Sequence, residues 1–153
     1  AAAELIEQYF VAYPEVKEYL EGNAARAIRT GVLRTPTGRV RRFGEASAVN
    51  RRERNEVRRQ AKNFPIQGCC ADGLKFSLVL LWERRGECPG AVPILAVHDE
   101  IVVEVDKDKA EEAQTWLKAA MVEGMQRALN HPDSEGPRVP VEVEASTGKS
   151  WAS

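Results

Sequence analysis

The chain has 153 residues, 43% of them hydrophobic and 29% charged, with a formal net charge of −1. That is one domain's worth of sequence, or a piece of a larger protein, with enough apolar content for a core and no repeat or low-complexity tract. Cys69, Cys70 and Cys88 make neither a disulfide framework nor a zinc spacing, so a reducing, cytoplasmic compartment is expected. No signal peptide and no apolar run near eighteen residues is present, so neither secretion nor a membrane span is expected. The near-zero total hides an uneven layout. Arg26 to Lys62 holds twelve Lys/Arg against three Asp/Glu, whereas Asp99 to the end holds six against twelve. One end of the chain suits an anionic partner and the other suits cations.

Taken in order, Glu4 to Tyr13 reads as a helix, with Leu5, Ile6, Tyr9, Phe10 and Tyr13 at helical spacing and expected in a core. Pro14 suits the first turn of a second helix, or a kink, and the apolar face continues through Val16, Tyr19, Leu20, Ala24, Ala27 and Ile28 to a Gly31 cap. Pro36 and Gly38 mark a tight turn between two short strands, the second crowded with arginine. Ser47 is the expected N-cap of a helix to about Lys62. Arg51, Arg52, Arg54, Arg58, Arg59 and Lys62 load it with positive charge that Glu53 and Glu56 do not neutralise, which favours a phosphate-backbone contact surface over an ordinary solvated face. Pro65 is expected to break the helix near Phe64, and a second long helix is expected from Gln67 to about Arg85. Arg59, Asn63 and Gln67 recur every four residues. Asn and Gln suit a groove edge where acceptors are common. Asp106 is expected to cap a helix to Asn130, and Val139 to Ala145 reads as a last strand.

Between these helices lies Ile94-Leu95-Ala96-Val97-His98-Asp99-Glu100-Ile101-Val102-Val103-Glu104-Val105. Two Val/Ile-rich runs read as short buried strands, and the polar triplet His98-Asp99-Glu100 reads as the turn of a hairpin. Carboxylates at the tip of a rigid hairpin are a seat for a divalent metal, or else a solvated turn; the residues alone leave both open.

Two segments resemble the family A DNA polymerases, the DNA polymerase I group. Val97-His98-Asp99-Glu100 before an apolar strand is similar to that family's motif C. Arg59 to Asp72 is similar to its R-x-x-x-N-x-P-x-Q-G-x-x-A-D signature. The helix pair and the Thr37-Gly38-Arg39 to Arg42 hairpin resemble the end of the family's fingers subdomain, although Val40 interrupts the arginine run. The resemblance implies an α+β fold: a partial palm with a small antiparallel sheet and packed helices, preceded by a helical fingers remnant. Residues 1–62 would be the C-terminal part of the fingers and 63–153 that of the palm. It implies Asp99 as a catalytic metal ligand, Glu100 as a supporting catalytic carboxylate, and Arg59, Asn63, Gln67 and His98 as contacts to the primer–template. Asp72 is expected to tie a helix start, and Cys69 and Cys70 to be packing residues.

The activity so implied is template-directed nucleotidyl transfer to a primer 3′-hydroxyl. Its partners would be primer–template DNA and deoxynucleoside triphosphates, and its cofactor two Mg²⁺ ions. Nothing in the chain resembles the family's motif A, D-Y-S-Q-I-E-L-R, or its R-x-x-x-K-x-x-x-x-G helix. The chain alone is therefore expected to be inactive and to need a polypeptide carrying those motifs. A non-catalytic nucleic-acid-binding remnant and a small metal-dependent phosphodiesterase are the other readings. Nucleoid-associated cytoplasmic localisation is expected, with an organelle or phage origin also compatible.

Overall fold

The computed structural model describes residues 2–44, 50–130 and 138–151. The chain divides into two compact units, Ala1–Gln67 and Gly68–Ser153. It is an α+β chain with small antiparallel sheets.

The first unit opens with helices α1 (Ala2–Ala12) and α2 (Pro14–Thr30). Pro14 occupies the first turn of α2, where its missing N–H has no helical partner to lose. Gly31 ends α2 at φ 66°, its N–H donating to the Ala27 carbonyl at 2.9 Å. A Cβ there would also meet the Gly44 carbonyl oxygen at 2.7 Å, so glycine is required by conformation and by space. Strands β1 (Val32–Arg34) and β2 (Val40–Arg42) pair antiparallel, with Leu33 opposite Arg41. Between them, the Thr35 hydroxyl accepts from the Arg39 N–H at 3.0 Å. The core of this unit is small: Ala27, Leu33, Ala61 and Phe64, with Phe43 and Val57 against it. The aromatic stripe of α1 is not part of it. Leu5, Ile6, Tyr9 and Tyr13 are all exposed and α1 buries no residue. The periodicity made α1 amphipathic, but among the described residues no second layer covers that face.

Helix α3 (Arg51–Glu83) is one continuous helix with Pro65 inside it, not the two helices expected. Proline in a helix interior removes a hydrogen bond and costs about 3 kcal/mol. Here Ala61, Phe64, Pro65, Gly68, Cys69, Asp72 and Gly73 around it are all buried, and that packing outweighs the local penalty. Asn50 caps the start, its side-chain oxygen accepting from the N–H groups of Arg52 and Glu53 at 3.0 and 3.1 Å. The Ser47 cap expected from the sequence lies outside the described residues. Asp72 does not tie a helix start; it is buried mid-helix. Contrary to the expectation, α3 does reach the minimum length and apolarity of a membrane span, although nearly half of that stretch is buried within the protein.

In the second unit the end of α3 packs with α4 (Ala110–Leu129), which a short 3₁₀ turn, Lys107–Lys109, precedes. Asp106 starts that turn without a side-chain capping bond. The core contains Leu80, Leu81, Cys88, Ala91, Ile101, Ala113, Trp116 and Ala120. Trp116 donates its indole N–H to the Arg84 carbonyl at 3.0 Å, satisfying an otherwise open group at the end of α3. Backbones approach closely at two glycines. A Cβ on Gly73 would meet Met125 Sδ at 2.6 Å, and one on Gly124 would meet the Ser77 backbone nitrogen at 2.5 Å. Trp82 and Trp151 are exposed, and so is Cys70, which was expected to pack.

Strands β3 (Val92–Val97) and β4 (Glu100–Glu104) form the expected antiparallel hairpin, with an irregularity between Pro93 and Leu95. Only β4 reaches the core, through Ile101; Val92, Ile94 and Leu95 of β3 are exposed. Alternating β-branched residues fix the strand, but burial needs a second layer. Residues 138–148 form no third strand. Pro140 has no N–H to give a ladder, and side-chain amides take the backbone groups instead. Asn130 bonds both the N–H and the carbonyl of Val139, and Gln114 donates to the Ala145 carbonyl.

Candidate nucleic-acid interface and carboxylate hairpin

In the first unit, the unbroken α3 puts Arg59, Asn63 and Gln67 at one-turn spacing on a single exposed face. Together with Arg41, Glu56 and Gln60 they line a surface recess of about 240 Å³. Arg41 belongs to β2, and its guanidinium donates to Gln60 Oε1 at 2.7 Å. It lies over the rings of Phe43 and Phe64, 5.3 and 5.9 Å from their centroids. Gln60 in turn donates to Glu56 at 3.1 Å. Arg41 was not singled out in the sequence: its separation of 19 residues from Gln60 carries no periodic signal. The recess offers guanidinium and amide donors and amide acceptors. That is the chemistry of phosphate and base-edge contact.

The positive charge of α3 is not evenly available. Glu21 of α2 accepts from Lys62 at 2.6 Å and also from Arg58. The Lys62 hydrogen bond, with the charges of Lys62, Arg58 and Lys17, holds the Glu21 carboxyl below the usual glutamate range. Two of the six cations expected to face a phosphate backbone are therefore engaged within the protein.

In the second unit, His98 and Asp99 are the two turn residues of the β3–β4 hairpin, and Glu100 opens β4 opposite Val97. All three side chains are exposed. His98 has φ 55°, the left-handed region that few non-glycine residues occupy. Strained turn positions of this kind concentrate at functional sites. The carboxylates do not complete a divalent-ion site: among the described residues, no three His, Cys, Asp or Glu side chains cluster as metal ligands. Burial pushes the Cys69 thiol up, in keeping with a packing role and not a reactive thiolate.

The chain matches DNA polymerase family A over residues 1–153. It is 37% identical over 152 residues to the thermostable DNA polymerase I of Thermus thermophilus, covering 99% of this chain and 17% of that protein. It is 35% identical over 150 residues to DNA polymerase I of Deinococcus radiodurans, covering 98% of this chain and 14% of that one. Among solved structures it is similar to the polymerase domain of Pol1 from M. smegmatis, in complex with DNA primer-template and dNTP. The TM-score there is 0.77 and the identity 28%, over 92% of this chain and 23% of that one. The chain thus spans less than a fifth of the length of these curated relatives. With a match along its whole length, the chain belongs to DNA polymerase family A.

Proposed function

We propose that this chain supplies the C-terminal part of a template-directed DNA polymerase, its residues 1–62 from the fingers and 63–153 from the palm. The observation that carries the proposal is the recess on α3, where the signature residues Arg59, Asn63 and Gln67 share one exposed face in a chain that matches the family throughout. In this reading Arg59 contacts the phosphate backbone, and Asn63 and Gln67 reach acceptors along the minor groove of the primer–template. Such acceptors occur at every base pair, so the contacts test pair geometry with little sequence preference. His98 sits at the primer end. The Pol1 structure that the chain resembles holds both primer-template and dNTP, which supports the same two ligands here.

Asp99 is the proposed contributor to an Mg²⁺ site, with Glu100 in support. Family A membership supports a divalent metal. No three candidate ligands cluster among the described residues, so in this reading the remaining ligands come from another polypeptide segment. The chain by itself is therefore proposed not to extend a primer. The test is primer extension with Mg²⁺, comparing the chain alone with the chain plus a family A fragment that carries the missing motifs. Synthesis only in the mixture, lost in Asp99→Ala, is the expected result. Synthesis by the pure chain would refute the division of labour. A folded chain that binds primer–template but is never complemented would favour the second reading, a non-catalytic nucleic-acid-binding module.

A further inference from the structure

We propose that Glu21 is an internal counter-ion that competes with nucleic acid for Arg58 and Lys62 and so weakens the phosphate contacts these two cations would otherwise make beside the Arg59–Asn63–Gln67 face. The inference rests on the reading of that face as a primer–template contact. Arg58 and Lys62 stand one turn apart, each one position before a residue of the contact face. By sequence alone they are as fit for phosphate as Arg59. Glu21 lies 37 and 41 residues away in the chain, yet its two carboxylate oxygens are divided between them, Oε2 to Arg58 and Oε1 to Lys62. A carboxylate with one oxygen on each of two cations occupies them much as a backbone phosphate would. The three side chains remain 41%, 32% and 45% exposed for Arg58, Lys62 and Glu21, so the pair is reachable from solvent, and the shared carboxylate, not burial, is what competes with a phosphate for it. A duplex approaching that side of α3 meets two cations that already share one carboxylate, a triad of net charge +1. One approaching the recess meets Arg59 and Arg41, whose nearby carboxylate, Glu56, is held by Gln60. Glu21 thus lowers the number of phosphates that Arg58 and Lys62 engage.

The salt dependence of binding measures this directly, because each phosphate neutralised steepens the fall of log affinity with log salt by about 0.9. Primer–template DNA would be titrated with the 153-residue chain across a salt series, using Glu21→Gln, Arg58→Gln/Lys62→Gln, the triple variant, and Arg59→Gln. Folding of each variant would be verified by circular dichroism. Glu21→Gln is expected to add one to two phosphate contacts, so that affinity falls up to ~10-fold more over a fourfold rise in salt. The triple variant is expected to return to the native slope. The Arg58/Lys62 double variant, with Glu21 intact, is expected to keep the native slope, and this arm stands even if Glu21→Gln does not fold. A native slope in folded Glu21→Gln overturns the proposal, as does a reduced slope in the double variant. Arg59→Gln separates the two readings. If it lowers the slope while Glu21→Gln changes nothing, the contact face stands and the counter-ion role falls. If it leaves the slope unchanged, the contact face itself is wrong and the proposal falls with it.

Discussion

Helix α3 contributes to two units that solve the same problem differently. In residues 1–67 the buried apolar set is little more than Ala27, Leu33, Ala61 and Phe64. Around it, polar side chains make long-range ties: Glu21 to Arg58 and Lys62, and Arg41 to Gln60 and to the faces of two phenylalanines. Residues 68–153 use a similar ionic device, Glu123 accepting from Arg84 at 2.6 Å and Arg127 at 2.8 Å. There it lies beside a larger core with a buried tryptophan and glycine-permitted helix contacts. The lesson is that a similar ion triad accompanies a small core in one unit and a larger one in the other. The region rich in polar ties is also the one proposed to meet nucleic acid, where polar side chains must stay at the surface.

The chain's own chromophores test this contrast. Its three tryptophans, Trp82, Trp116 and Trp151, lie in the second unit, and its three tyrosines, Tyr9, Tyr13 and Tyr19, in the first. The largest expected effect is from Trp116→Ala, which empties a 6%-exposed site and leaves the Arg84 carbonyl without its donor. A loss of about 3–5 kcal/mol is expected in denaturant melts followed by the remaining tryptophans, with a smaller shift in the tyrosine signal. Equal shifts in both signals would merge the two regions into one cooperative unit and end the comparison. Next comes Gly124→Ala, whose new methyl would press on the Ser77 backbone. It should cost about 1–3 kcal/mol, read as a lowered midpoint in the tryptophan-detected melt.

A smaller effect sharpens the distinction between stability and function. His98→Gly removes a side chain from a φ of 55°, so stability should hold or rise by up to about 1 kcal/mol. Primer extension in the complemented assay should fall nonetheless. A destabilised hairpin with unchanged extension would make His98 a turn residue and nothing more.

The smallest effect concerns acid. Glu21 has a folded pKa below its unfolded value, chiefly through the Lys62 hydrogen bond. It therefore contributes stability that is fully present above the unfolded value and is lost as pH falls through the folded one. For a pair this exposed the loss is no more than about 1 kcal/mol. Between about pH 5 and pH 3 the tyrosine-detected midpoint should drop, and Glu21→Gln should flatten that drop. If the variant's midpoint falls as steeply as the native one, the acid sensitivity lies elsewhere.

Much of this protein was written in local sequence. Pro14, Gly31 and Gly38 act through their own backbone limits, so helix starts, the α2 cap and the β1–β2 turn are legible without any partner. The β3–β4 hairpin follows from β-branched runs around a two-residue turn. The spacing of Arg59, Asn63 and Gln67 placed them on one face, and the match to family A confirmed the family. Tertiary structure decided what depends on groups far apart in the chain. Pro65 stays helical because buried neighbours on both sides outweigh one missing hydrogen bond. The aromatic face of α1 and the side chains of β3 remain exposed because amphipathicity specifies a face, not the layer that covers it. Residues 139–145 form no strand, and side-chain amides bond the backbone at Val139 and Ala145. Above all, Glu21 finds Arg58 and Lys62 across some forty residues, and Arg41 finds Gln60. A charge pattern counts cations along a helix, but only the folded chain determines which of them already have a counter-ion.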